Sequence, residues 1–324
     1  MLLYTNLLLS FLTLVTATVT NVGNRRIVAL GDLHGDLPNT LEILKFAKLI
    51  DKEHHWIGGD AIFVQTGDVV DRGPDTIKLY RLLQDLREEA PYQGGLVIPL
   101  LGNHEIMNLI GDWRYVRESD VATFGSVEAR RKAFAADGFI GEYLITLNMT
   151  AKVGSTVFCH GGITPYYSEF GLDWINDRTH ESIVTYMESR GRHGNEDGIY
   201  SGSGPTWYRG YALDDEQEAC DLIDDALDFL QANRMVMGHT VQRDGIIRTR
   251  CGGKIVLIDV GISKAYGGYR GALEIQGNDV YALYPNRKVK LPSPAPFITS
   301  SSDQKLEAIP IDTTIKEPIR HDEL

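Results

Sequence analysis

Five short polar clusters hold most of the side chains able to do chemistry in this 324-residue chain. They are Gly31-Asp32-Leu33-His34-Gly35, Gly67-Asp68-Val69-Val70-Asp71-Arg72-Gly73, Gly102-Asn103-His104-Glu105, His160-Gly161-Gly162 and Gly238-His239-Thr240. Four of the nine histidines sit in them. Carboxylate, imidazole and amide oxygen converging on one spot make a site for borderline divalent metals, and Mn²⁺, Fe and Zn²⁺ all suit such mixed N/O ligation. Three or four ligands per ion, with one carboxylate shared, would hold two ions about 3.5–4 Å apart; that arrangement lowers the pKa of a water between them and clamps an attacking oxygen. An arginine beside such a centre suits a phosphoryl oxygen, because its planar fork matches that geometry. Each cluster alone is a weak signal. A Gly-Asp pair after a strand is usually a turn, Asn103 fits a helix cap, and a lone His239 reads as a core histidine. Five such clusters in order, each behind an apolar run, read together as one site.

The apolar runs are the elements that must position these clusters. Strands are expected over residues 26–30, 61–65 and 96–101, with helices over 38–50 and 74–89. That rhythm predicts an α/β layered domain with parallel pairing. Ligands of open α/β sheets bind beyond the carboxyl ends of strands, where glycine lets the chain turn sharply and approach a ligand. Residues 111–139 look like an insertion with a helical stretch at 127–136. A strand is expected at 153–159, a helix at 168–190, a glycine-rich loop at 191–204 and an amphipathic helix at 214–233. Short strands follow at 234–237, 255–259, 272–275 and 280–283.

Composition and the chain ends narrow the setting. With 43% hydrophobic and 23% charged residues, collagen, coiled coil and wholesale disorder are excluded. A net charge of −12 disfavours nucleic acid and anionic membranes as partners. The apolar run at 7–19 is shorter than the roughly 20 residues that span a bilayer. With Val15-Thr16-Ala17 as a cleavage site, it reads as a signal peptide over 1–17, although no Lys or Arg precedes it. The chain closes on His321-Asp322-Glu323-Leu324, an endoplasmic reticulum retention tetrapeptide, at the end of a Pro- and Ser-bearing stretch, 289–324, that reads as a flexible tail. Signal and tetrapeptide license each other and imply residence in the lumen, with the retrieval receptor as a partner. In that compartment Asn148-Met149-Thr150 is a glycosylation acceptor, provided Asn148 lies on the surface. Cys159, inside an apolar strand, is expected as a buried thiol, and pairing of Cys220 with Cys251 is left open.

The series GDLHG, GDVVDRG, GNHE, HGG and GHT resembles the calcineurin-like metallophosphoesterases, specifically the phosphoprotein phosphatase branch. Gly204-Pro205-Thr206-Trp207-Tyr208-Arg209-Gly210 is similar to the Shewanella-like subgroup of that branch. The resemblance implies an α/β, four-layer αββα sandwich: two central mixed β-sheets flanked by helices, over a domain at 26–285. It implies two divalent ions. Asp32, His34 and Asp68 would hold the first, and Asp68 would bridge to a second held by Asn103, His160 and His239. A hydroxide bridging the ions would attack phosphorus directly. His104 would be the general acid, Asp71 its orienting partner, and Arg72 and Arg209, with Asn103, would bind the substrate phosphate. The implied activity is phosphomonoester hydrolysis, as a protein phosphatase of the lumen acting on phosphoserine or phosphothreonine peptides, with phosphotyrosine open. The Ser-Ala-Pro-Asn-Tyr loop of the main eukaryotic branch is replaced by Asp259-Val260-Gly261-Ile262-Ser263, so that branch's toxin and regulatory-subunit binding do not carry over. Two other readings remain: a symmetrical dinucleoside polyphosphate hydrolase, and a binding protein on an inactive phosphatase fold. The Asp71-Arg72 pair favours a protein phosphatase over the first, and the complete ligand set argues against the second.

Overall fold

The computed structural model describes residues 18–19 and 22–295; the expected signal peptide and the retention tetrapeptide lie outside them. The chain runs β1 (Thr18–Val19), β2 (Ile27–Leu30), α1 (Leu37–Phe46), β3 (Ile62–Gln65), α2 (Thr76–Glu89), β4 (Leu96–Pro99) and α3 (Asn103–Leu109). Three short helices follow, α4 (Glu118–Phe124), α5 (Val127–Ala133) and α6 (Gly141–Leu144). Then come β5 (Thr150–Val153), β6 (Thr156–Cys159), α7 (Pro165–Glu188), α8 (Gly210–Leu213) and α9 (Glu216–Leu230). The last strands are β7 (Arg234–Met237), β8 (Arg248–Arg250), β9 (Ile255–Leu257), β10 (Ala272–Gln276), β11 (Asp279–Tyr284) and β12 (Arg287–Leu291).

These strands form two six-stranded mixed sheets, ordered β12-β11-β10-β2-β3-β4 and β1-β5-β6-β7-β9-β8. This is the expected mixed two-sheet α/β architecture with helices. β2, β3 and β4 pair in parallel, as do β6, β7 and β9. β2, β3, β6 and β7 are buried throughout, which is why they read as short continuous apolar runs. Helix starts follow local chemistry. Asp36 caps α1 by accepting from Asn39 N at 3.1 Å, and Pro38 occupies the first turn, where its missing N–H is tolerated. Asp215 caps α9 through Gln217 N, with Glu216 and Glu218 in the favourable first turn; Ala219, Ile223, Ala226, Leu227 and Leu230 form its buried stripe.

Several expectations are corrected. The strand expected over 153–159 is a hairpin: β5 turns at Gly154 (φ +60°) and Ser155 and returns antiparallel as β6. The folded region does not end at residue 285, because β12 pairs antiparallel with β11 over residues that were read as the start of a tail. Its side chains are mostly exposed lysine, arginine and valine, the composition of a protected sheet edge. The helix expected at 168–190 begins earlier, at Pro165, and kinks at Gly171 (φ 84°). Cys220 and Cys251 form a disulfide tying α9 to the turn after β8, and Cys159 is a buried free thiol. Among the described residues no helix is long and apolar enough to cross a membrane.

Candidate functional site

The five clusters meet beyond the carboxyl ends of β2, β3, β4, β6 and β7, and backbone bonds stitch their loops together. Leu33 N and His34 N both donate to Asp68 O at 3.0 Å, and Gly35 N donates to Val69 O at 2.9 Å. The approach is too close for side chains: a Cβ on Gly35 would stand 2.4 Å from Gly73 O, and one on Gly102 would stand 2.2 Å from Asp68 Oδ1. One buried carboxylate then clips two of the loops. Glu105 Oε2 accepts from Asp68 N at 2.7 Å and Gly102 N at 2.8 Å, while Oε1 accepts from Val69 N at 2.9 Å and the Tyr80 hydroxyl at 3.0 Å. The clip opposes backbone strain, since His34, Asp68, Asp71, Arg72 and His239 all hold positive φ without being glycine.

Asp68 Oδ2 is the hub of the donor set. It lies 3.2 Å from His160 Nε2, 3.6 Å from His34 Nε2 and 3.8 Å from His104 Nε2. Asp32 Oδ2 stands 3.7 Å from His34 Nε2, and Asn103 Oδ1 2.9 Å from His160 Nε2. The ligand atoms of Asp68, His160 and His239 lie within 4.8 Å of one another, as do those of His34, Asp68 and His104. Each metal-candidate histidine has its other ring nitrogen on a backbone carbonyl: His34 Nδ1 on Val70 O, His160 Nδ1 on Thr66 O, and His239 Nε2 on Trp207 O. That is how ligating imidazoles are fixed in tautomer and orientation. His160 Nε2 faces two oxygens, on Asp68 and Asn103; burial pulls its pKa down, but the Asp68 charge and hydrogen bond outweigh it and raise it. A cation fits that arrangement.

The electrostatics agree. Burial pushes the His34 imidazole down to about 4, and burial with the neighbouring His160 and Arg209 charges holds His239 well below its usual range. Both are neutral ligands at pH 7. Burial, with the charges of Asp259 and Asp68, pushes the Asp32 carboxyl well above the usual carboxylate range. Buried, crowded carboxylates of this kind call for compensating positive charge. All six residues nominated as metal ligands (Asp32, His34, Asp68, Asn103, His160 and His239) are brought together, and they suit two divalent ions.

The proton-transfer pair lies alongside. His104 Nδ1 is 2.6 Å from Asp71 Oδ2, leaving Nε2 on the Asp68 side. Burial pulls His104 down, but Asp68 and Asp71 outweigh it and raise its pKa. Asp71 is fully buried and its Oδ1 accepts from Asn108 Nδ2 at 3.0 Å; the guanidinium of Arg130, also fully buried, stands 3.7 Å from the same oxygen. Arg72 lies over the Tyr115 ring at 4.0 Å and faces Tyr266 at 5.4 Å, and its buried Nε has no protein acceptor. Arg209 reaches the site by donating to His239 O at 2.7 Å and Thr240 Oγ1 at 3.2 Å.

Four participants escaped sequence reasoning. Glu105 and Asp259 carry the signal of an acid shortly after an apolar strand, with a glycine two or three residues away. Asp259 is buried, bonds Gly261 N at 3.0 Å, and is pushed up to about 6 by burial. Tyr115 and Arg130 belong to the 111–139 segment and had no sequence signal. Trp207 packs edge-on to His239 at 5.6 Å, whereas Trp174 stacks on Phe170 at 4.6 Å as local packing. Asn148 is only 8% exposed and its backbone is bridged to Leu100. The surface condition for its glycosylation is therefore not met.

Residues 25–243 match the calcineurin-like phosphoesterase family. An uncharacterized protein of Schizosaccharomyces pombe is 42% identical over 276 residues, covering 82% of each chain. Shewanella-like protein phosphatase 2 of Arabidopsis thaliana is 34% identical over 284 residues, covering 74% of this chain and 72% of its own. The crystal structure of the cold-active protein-tyrosine phosphatase of a psychrophilic Shewanella species superposes with a TM-score of 0.76 at 30% identity, covering 86% of this chain and 83% of that one. With these likenesses and a dimetal donor set at the sheet edge, the chain belongs to the calcineurin-like phosphoesterases, among the Shewanella-like protein phosphatases, and is a hydrolase of phosphoesters.

Proposed function

We propose that this phosphoesterase is a protein phosphatase of the endoplasmic reticulum lumen that releases phosphate from phosphoserine or phosphothreonine peptides, with phosphotyrosine as the competing substrate. The observation that carries the reading is the His104–Asp71 pair, set at 2.6 Å, with its free Nε2 turned to the Asp68 hub. Two divalent ions, held by Asp32, His34, Asp68, Asn103, His160 and His239, would supply an activated water and offset phosphate charge.

The chain's own residues do the rest. Arg72 and Arg209 grip the phosphoryl oxygens, where a planar guanidinium stabilises charge as the transition state develops. The tyrosines over and beside Arg72 hold its fork without competing for its N–H groups. The oxygen of the attacking water bonds to phosphorus as the ester P–O bond breaks, and His104 gives its Nε2 proton to the departing oxygen. The products are a free hydroxyl and inorganic phosphate. Asp71 keeps the imidazole aimed and stabilises its protonated form, and Asn108 and Arg130 hold Asp71 in turn.

The lumenal part of the proposal rests on the signal sequence and the terminal His-Asp-Glu-Leu, and the Cys220–Cys251 disulfide supports an oxidising compartment. The test is hydrolysis of phosphoserine, phosphothreonine and phosphotyrosine peptides and of diadenosine tetraphosphate, with Mn²⁺ and with chelator, by the mature chain and by His104→Asn. Metal-dependent peptide hydrolysis is expected, and kcat should fall roughly 10²–10⁴-fold in the variant. Turnover of the dinucleotide alone would overturn the reading. Fractionation that finds the protein outside the endoplasmic reticulum would overturn the location.

A further inference from the structure

We infer that the groove beside Arg72 is a substrate subsite that takes an acidic residue flanking the phosphorylated one, so that this phosphatase selects acidic phosphopeptides. The assignment rests on the protein phosphatase reading and deepens it. The groove is about 530 Å³, within the range of ligand sites, and runs from Arg72 past Arg117 and Ser119 on one side and Ser263 and Lys264 on the other. The chain as a whole carries −12, so a cationic groove is not a sample of its general surface.

Among the described residues, Arg72, Arg117 and Lys264 have no carboxylate partner, whereas nearby Arg114 is paired with Asp112 at 2.6 Å. The two carboxylates on the groove wall are already engaged. Asp36 accepts from Asn39 N at 3.1 Å, Asn39 Nδ2 at 3.2 Å and Lys264 N at 2.9 Å. Asp75 is drawn to Lys78 at 3.1 Å and caps no N–H of α2. The N-termini of α1 and α2 both open on the groove, where their helix-end potential offsets the Asp36 and Asp75 carboxylates and leaves the cations uncompensated. None of the lining residues is aromatic, so nothing there would stack a nucleobase. A carboxylate on a flexible peptide fits; a nucleotide does not. Because Arg72 lies both at the phosphate site and on the groove wall, the bound acid must be a near neighbour of the phosphorylated residue.

The experiment compares kcat/KM of the full mature chain, with Mn²⁺, for matched phosphopeptides flanked by Glu or by Ala, beside p-nitrophenyl phosphate. The variants are Arg117→Ala/Lys264→Ala and Arg117→Glu/Lys264→Glu. Two exposed ion pairs, at Arg117 and Lys264, predict a wild-type preference for Glu flanks of roughly 2- to 30-fold at low salt, carried in KM. The ratio should fall to about one in the alanine variant and invert in the glutamate variant, and high salt should erase it. The ratio is internal to each variant, so partial misfolding does not mimic the result. Equal rates for both flanks in the wild type, or a ratio the variants leave unmoved, would overturn the subsite and leave the phosphatase reading standing. Turnover of p-nitrophenyl phosphate with no peptide hydrolysed would overturn both.

Discussion

Replacing Glu105 with Gln tests whether one carboxylate holds the site loops in place. Its two oxygens accept from Asp68 N, Gly102 N, Val69 N and the Tyr80 hydroxyl at 2.7–3.0 Å, in a side chain only 1% exposed. The least costly amide orientation puts the NH₂ at Oε1, where the Tyr80 hydroxyl can turn to accept. Val69 N–H is then orphaned, at about 1–3 kcal/mol, and the two bonds at Oε2 drop from charge-assisted to neutral, at about 1 kcal/mol each. Relief of the burial and Asp68 charge that raise the Glu105 pKa returns part of this. A net loss of about 2–4 kcal/mol is expected, a large share of a typical 5–15 kcal/mol. At about 2–4 °C per kcal/mol for a chain of this size, Tm should fall on the order of 10 °C. The measurement is thermal unfolding in chelator, so that bound metal does not mask the change, with Mn²⁺ titration calorimetry beside it. Because Glu105 aims Asp68, metal affinity should drop roughly 10- to 100-fold as well. A variant within 1 kcal/mol of the parent and with its metal affinity would refute the reasoning.

Two further outcomes follow from the same geometry. Arg130→Met leaves the buried Asp120, which receives its Nε at 2.8 Å, without a partner and should cost about 3–5 kcal/mol by urea unfolding. Arg130→Met with Asp120→Leu should recover the part owed to Asp120, since Trp113, Phe124 and Phe134 already surround the guanidinium, but not the part owed to Asp71; a double variant as unstable as the single would sink the argument. At the surface, His55 is raised from 6.5 by its hydrogen bond to Glu89 and by that carboxylate's charge. Burial pushes Glu89 up, but bonds from Trp56 N and His55 outweigh it and lower it below 4.5. The His55 contribution is full below 6.5 and is lost as pH rises through the higher folded value. The Glu89 contribution is present above 4.5 and is lost as pH falls through the lower one. His55→Ala should therefore flatten the decline in Tm between pH 6 and 8, and an unchanged profile would refute the pairing.

The metal ligands are legible because each behaves locally: an apolar strand, then a donor with a glycine close by. Nothing about their meeting required knowledge of distant chain. Glu105 stands in one of the five clusters, yet its role depends on a loop 36–37 residues away closing onto it, and sequence spacing does not report that. Asp259 obeyed the same strand-then-acid rule as Asp32 and Asp68. Its loop stands out in the sequence for lacking the Ser-Ala-Pro-Asn-Tyr motif, which draws the eye away from the acid. β12 was read as tail because Lys288, Lys290 and Arg287 dilute its alternation, although Pro285-Asn286 before it is turn chemistry. The β5–β6 hairpin was missed because Gly154-Ser155 interrupts one run too briefly to separate two. Arg130 was out of reach altogether, since a buried guanidinium among aromatics looks in sequence like any surface residue of a basic helix.

Arg130 also changes what the 111–139 segment is for. By sequence it is an insertion with a helical stretch at 127–136 and no assigned chemistry. In the structure its Arg130 closes a line of charge with Asp71 and His104, all three enclosed. Between an imidazole and a guanidinium, the buried Asp71 carboxylate aims His104 through one oxygen and is held through the other. The same segment supplies Tyr115, whose carbonyl accepts from Arg72 N at 3.3 Å and whose ring lies under the Arg72 guanidinium. One insertion thus holds the group that donates the proton from behind and the group that grips the phosphate from beside. Both Asp71 and Arg72 have positive φ, so the backbone that presents them is strained and needs outside support. The segment is therefore part of the catalytic frame as well as of the groove wall: changes at Arg130 or Tyr115 should alter turnover, whereas changes at Arg117 should alter specificity.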